Sequence, residues 1–160
     1  MEFTSLIDAT LARAGEGEKC AACGQPQPGW LERPAIPAHP WRLRGLAELE
    51  QYVATLPAET HEWVLSFFLD EHCHLLSAET IARGSVGEVQ VSIGQIVSRG
   101  YAIGAAGFVL VHNHPSGDPT PSRSDIEFTV RAAHVARECE MPMLTHVVVA
   151  EGGMKTVGEW

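Results

Sequence analysis

Residues 108–126, FVLVHNHPSGDPTPSRSDI, limit what this chain can fold into more than any other stretch. Phe108 to Val111 is a short apolar, β-branched run of the kind that forms a buried strand. It ends in His112-Asn113-His114, and side chains two apart on a strand leave the same face, so the two imidazoles can share one ion. Pro115, Gly117, Pro119 and Pro121 then hold the chain out of regular structure, and the next helix can start only near Ser122, with Asp125 in its first turn. Two imidazoles and a carboxylate on a strand end and a helix start form an open three-ligand set, which is what catalytic zinc uses when water takes the fourth position. Ser122-x-x-Asp125 is also close to a capping box, with Ser122 as N-cap and Asp125 satisfying backbone donors, and the two readings are compatible.

His112-x-His114, seven residues, Ser122, two residues and Asp125 resemble the signature of the JAMM (MPN/JAB) metallopeptidases, and HNHPSGDPTPSRSD is similar in particular to their RadC branch. The likeness extends from about residue 43 to the C-terminus. It takes in Glu79-Thr-Ile-Ala-Arg-Gly84-Ser85, which looks like the family's strand bearing an essential glutamate before an Arg-Gly-Thr turn, with Ser85 where Thr is usual. The resemblance implies Glu79 as general acid/base, Ser122 as a donor to the oxyanion of a tetrahedral intermediate, and a mixed sheet covered by helices. Residues 1–42 do not look like the helical N-terminal region that goes with the RadC branch.

The length of 160 residues suits one domain with a full core. No apolar run approaches the roughly 18 residues needed to span a bilayer, and the N-terminus lacks a basic start followed by an apolar core, so a soluble cytoplasmic protein without membrane contact is expected. Twenty acidic against eleven basic residues give a net charge of −9, which repels phosphate backbones. The arginines are scattered with no basic run, and direct nucleic-acid binding is disfavoured. Four cysteines are too few for a disulfide scaffold. Cys20-x-x-Cys23 could be half of a zinc ribbon, but no second pair completes it, and reduced thiols in a loop are the plainer account.

Residues 4–14 have the spacing of a short helix, and 15–41 form a Pro/Gly-rich arm whose Trp30 and Trp41 imply packing on the domain or, as a homodimer, on a second chain. The folded domain is expected over 43–160. Leu46, Leu49, Val53 and Leu56 predict a helix ended by Pro57. Trp63–Leu69 and Cys73–Arg83 predict a β-hairpin, with His72 and His74 exposed near its tip. Ile93–Ile103 reads as a helix packing Ile96, Val97 and Ala102 inward. Ile126–Cys139 reads as another, with Ile126, Val130, Ala133 and Ala136 or Arg137 inward, and Leu144–Val149 as a buried strand. Strands and helices alternate after the hairpin, so the fold class is mixed α/β: a single domain with a central mixed sheet, a β-hairpin and flanking helices.

Zinc makes a nucleophile available at neutral pH, and attack on a carbonyl then needs a carboxylate to handle the proton. Glu71, Glu88 and Glu127 rival Glu79 for that task, and only the resemblance favours Glu79. A metal-bound histidine also needs a partner on its other ring nitrogen. Asn113 or His146 could supply it, although His146 reads more simply as a packed strand residue. The leading expectation is a zinc-dependent hydrolase cleaving a peptide or isopeptide bond of an unspecified peptide or protein, with His112, His114 and Asp125 as ligands. The alternatives are a non-catalytic module of the same fold and a DNA-repair accessory.

Overall fold

Apolar runs bounded by turn residues become the central strands, and the order in which they pair places the site. The computed structural model describes residues 41–56, 60–84 and 91–158. The expected helix at 4–14, Trp30, Cys20 with Cys23, and Glu88 lie outside them. Helix α1 (Leu46–Val53) precedes the hairpin of β1 (Glu62–Leu69) and β2 (Leu75–Gly84). Helix α2 (Ile93–Ala102), capped by the Ser92 hydroxyl, leads to β3 (Gly107–Asn113). Helix α3 (Arg123–Glu138) then crosses to β4 (Met143–Ala150), and β5 (Gly153–Thr156) closes the chain.

The five strands form one mixed sheet in the order β2-β1-β3-β4-β5. Among neighbouring strands only β3 and β4 pair in parallel, a pairing that needs a crossover such as the one α3 supplies. Alternation along the strands sorts the core into two layers. Phe67, Val109, Val111 and Val147 pack under α1 through Leu49 and Tyr52. Phe68, Phe108 and Leu110 pack on the opposite face with Ile96, Ala132, Ala136 and Met141 from α2, α3 and the turn after α3. Trp41 lies on this domain, its ring 5.8 Å from Tyr52 and 6.4 Å from Phe67. No helix among the described residues is long and apolar enough to cross a membrane.

Two helix faces differ from expectation. In α3 the buried residues are Thr129, Ala132 and Ala136, while Ile126 and Val130 are 47% and 55% exposed. The inward stripe continues from Asp125 at i, i+4, i+7 and i+11, one residue away from the expected one. Small Ala132 and Ala136 let the helix lie close to the sheet, and polar Asp125 and Thr129 face partners there. In α2 the third inward position is Gly100, not Ala102, which is exposed. A Cβ at Gly100 would come within 2.9 Å of the Met141 sulfur, so that contact requires the glycine.

Candidate metal centre

His112 and His114 sit where β3 ends, at the carboxyl edge of the parallel β3/β4 pair, and the N-terminus of α3 lies across them. Strand geometry delivers both rings to one side as the spacing predicts. Their Nε2 atoms are 3.1 Å apart. Asp125 completes the group, with Oδ1 3.3 Å from His112 Nε2 and Oδ2 3.4 Å from His114 Nε2. These three residues could hold a metal ion.

The donor set fits one. A tetrahedral ion with bonds of about 2.0–2.2 Å holds its ligand atoms about 3.3–3.5 Å apart, close to the three separations found. The remaining ring nitrogens are also occupied in the way ligation requires. His114 Nδ1 lies 3.0 Å from the Asp118 carbonyl oxygen, which can only accept, so that nitrogen carries the proton and Nε2 keeps its lone pair. His112 Nδ1 lies 2.8 Å from His146 Nε2.

Asp125 serves as ligand candidate and as helix cap at once. Its Oδ2 accepts from the Ser122 backbone N–H at 2.7 Å and from the Ser122 hydroxyl at 2.6 Å, while Asp125 N–H donates to Ser122 Oγ. The capping box is therefore real, and it aims the carboxylate at the histidines. Burial alone would raise the Asp125 carboxyl, but hydrogen bonds from His112 and Ser122 and the charge of His112 outweigh it and hold the group well below the usual carboxylate range. Asp125 is thus ionised at neutral pH, as a ligand must be. Burial, with His112 second, pushes the His146 imidazole down to about 3, so His146 is neutral there.

Backbone ties fix the loop between His114 and Ser122. His114 N–H donates to the Val149 carbonyl at 2.8 Å, and Gly152 N–H to the Gly117 carbonyl at 3.1 Å. Gly117 has φ of 85°, and a Cβ on Gly152 would meet the Gly117 oxygen at 3.0 Å and Pro119 at 3.2 Å. Both glycines are needed to dock the loop on the β4–β5 turn. Beside His114 opens a cleft of about 730 Å³, bounded in part by Val53, Trp63, Val149, Glu151 and Met154.

Glu79 lies apart from the His-His-Asp group. It is 4% exposed, and its carboxylate receives the Arg99 guanidinium, Nε to Oε2 at 2.9 Å and Nη2 to Oε1 at 2.8 Å, together with the Ser77 hydroxyl at 2.7 Å. Glu79 shares its sheet face with His112 but pairs with Ser66, which pairs with Leu110. Ser77 pairs with Phe68, which pairs with Phe108, and Glu79 is not among the three residues gathered at the β3 end. Of the rival acids, Glu71 is exposed at the hairpin turn and Glu127 pairs with Arg123 at 2.8 Å. Asn113 does not support the ligands: its side chain accepts from Trp63 N–H at 2.7 Å and donates to the His61 carbonyl at 3.0 Å, sewing β1 to β3. Sequence reasoning missed Arg99 and Thr129. For Thr129 a signal existed, since it stands one helical turn beyond Asp125 on the same face.

The RadC-like JAB domain family matches residues 44–158. A UPF0758 protein of Pseudomonas syringae pv. tomato (strain ATCC BAA-871 / DC3000) is 38% identical over 111 residues, 69% of this chain and 50% of that protein. Another, from Pseudomonas savastanoi pv. phaseolicola (strain 1448A / Race 6), is 39% identical over 111 residues with the same coverage. The chain thus spans about half the length of these curated relatives.

Proposed function

The chain belongs to the RadC-like JAB domain family, and from that premise we propose that it is a zinc-dependent hydrolase of peptide or isopeptide bonds, with His112, His114 and Asp125 as the metal ligands. The observation that carries this reading is the convergence of two imidazole Nε2 atoms and an ionised carboxylate at 3.1–3.4 Å. Zinc, when bound, supplies Lewis acidity and activates water at neutral pH. Around it the chain's own residues orient and neutralise: Asp125 provides charge, and Asp118 and His146 hold the ring orientations. The apolar cleft beside His114 offers a place for a segment of polypeptide substrate. Ser122 supports the oxyanion in this reading by turning its hydroxyl from Asp125 toward the scissile carbonyl. The proposal includes a cytoplasmic setting, a folded unit over 43–160 and a homodimer through the N-terminal arm. It includes no direct duplex DNA binding, because a chain of charge −9 releases few counterions.

Glu79 takes the acid–base role in this proposal, and it does so only when its carboxylate leaves Arg99, whose guanidinium donates to both of its oxygens. The same ion pair favours a second reading, a non-catalytic module that keeps the fold and the ion as scaffold. Incubating the zinc-loaded protein with linear and branched peptide libraries separates the two, with Glu79→Gln as the blank. The hydrolase reading expects cleavage that falls by roughly 10²–10⁴ in Glu79→Gln while zinc is retained. Undiminished cleavage in that variant removes Glu79 from the mechanism, and none by the parent protein favours the scaffold.

A further inference from the structure

We propose that Thr129 and His146 form a positioning relay that fixes the proton of His112 on Nδ1 and so keeps its Nε2 bare for a metal. The inference rests on the metal-centre reading above and deepens the part that His146 plays there by adding Thr129 behind it.

One group in this chain of bonds has no choice of role. The Asp125 carbonyl oxygen can only accept, and the Thr129 hydroxyl, one helical turn on, donates its single proton to it. Thr129 Oγ1 therefore faces His146 Nδ1, 2.7 Å away, as an acceptor, and Nδ1 must carry the proton. A neutral His146 then presents a lone pair at Nε2. His112 Nδ1, 2.8 Å from it, must donate. A His112 that holds a metal is neutral, and with its one proton kept on Nδ1 its Nε2 is left free for an ion shared with His114 and Asp125.

The setting keeps the chain of bonds dry and fixed. Thr129 is 0%, His146 2% and His112 6% exposed, and the Phe128 ring lies 6.1 Å from the His146 ring. In such a place an N–H without an acceptor is unfavourable, so the protons of both rings are set together. His114 reaches the same tautomer by a simpler device, a backbone carbonyl of its own loop. The relay also closes a circuit, since it begins at the main chain of Asp125 and ends at a ring facing that residue's side chain. Helix α3 thereby positions two of the three ligands.

The test uses the full chain with ¹⁵N-labelled histidine. Long-range ¹H–¹⁵N spectra of the metal-free protein should show a proton on Nδ1 of His112, of His114 and of His146. In Thr129→Val the hydroxyl is replaced by a methyl of similar size, His146 loses its acceptor, and the Nδ1–H signal of His112 should lose its dominance. Zinc affinity, read by competition with a chelator, should fall about 10- to 100-fold, the usual effect of losing a partner behind a ligating histidine. Thr129→Ser restores the hydroxyl and should restore both readouts. A parent protein whose His112 carries no proton on Nδ1 overturns the relay, even if Thr129→Val does not fold. So does a folded Thr129→Val with tautomer and affinity unchanged. A parent that shows these tautomers but takes up no zinc supports the relay and overturns the metal-centre reading instead.

Discussion

The chain carries His-x-His twice, at His72/His74 and His112/His114, each with an aspartate in reach, and the two pairs are put to opposite use. At the first, Asp70 turns inward on its own hairpin. Its Oδ1 accepts from the backbone N–H of both His72 and His74 at 2.8 Å, and its Oδ2 meets His74 Nδ1 at 3.1 Å. At the second, Asp125 comes from another element and presents both oxygens to the two rings. Between the first pair Cys73 has φ of 62°, which breaks the alternation that sends i and i+2 to one face. His112 and Asn113 lie within the extended strand. The ring centroids are accordingly 6.1 Å apart in one pair and 4.9 Å in the other, and the His72 side chain is 67% exposed against 8% for His112. Spacing proposes a site, but extended backbone and an acid brought from elsewhere are what make one.

Metal content should separate the two histidine pairs most strongly. The parent protein should hold about one zinc per chain by elemental analysis, since a three-residue set needs all its members to hold a catalytic ion. His114→Ala and Asp125→Asn should fall to background, whereas His72→Ala combined with His74→Ala should leave the content unchanged. Metal lost with the hairpin pair would mean that the tip, not the β3 end, is the ligand set.

A second, smaller effect concerns the acid that spacing could not place. Glu79→Ala leaves the Arg99 guanidinium in a buried position without its carboxylate, and breaking such a pair costs about 3–5 kcal/mol. Chemical denaturation should show that loss with zinc content intact. A change below about 1 kcal/mol would put the pair in the surface class and free Glu79 for another task.

The contrast between Glu79 and the ligands also marks what the sequence could tell. His112, His114 and Asp125 were legible because strand and helix periods are local, and two imidazoles with an acid at such spacing leave few other uses. The sheet was legible in its hairpin, its mixed character and its apolar runs. The inward face of α3 was not, because Ile126 and Val130 carry the apolar signal while the stripe is decided by partners on β3 and β4. The bond from Thr129 to His146 joins residues seventeen apart, and the Arg99–Glu79 pair joins residues twenty apart. No local period records either one.

Ser122 holds the Asp125 carboxylate through both its backbone N–H and its hydroxyl. Ser122→Ala removes the N-cap and should cost about 1 kcal/mol of stability. It also releases Asp125 Oδ2 from a 2.6 Å hydrogen bond, so zinc affinity should fall by less than in Asp125→Asn. Affinity that falls as far as in Asp125→Asn would make Ser122 part of the ligand sphere itself.

The smallest effect belongs to Asp70. Hydrogen bonding from the His74 backbone, ahead of the side-chain contact with His74 and the His72 backbone, holds its carboxyl below the usual value despite some desolvation. The shift fixes the sign of the pH dependence. A carboxyl whose folded value is depressed stabilises the fold above the unfolded value, about 3.9, and that contribution disappears as pH falls through the lower folded value. Thermal melts should therefore show the parent slightly above Asp70→Ala at pH 7, with the two converging in acid and zinc content equal in both. Parallel melting curves down to low pH would mean that the carboxylate charge does nothing at the hairpin. Zinc lost from Asp70→Ala would mean that both aspartates serve a metal, and the distinction between the two histidine pairs would fail.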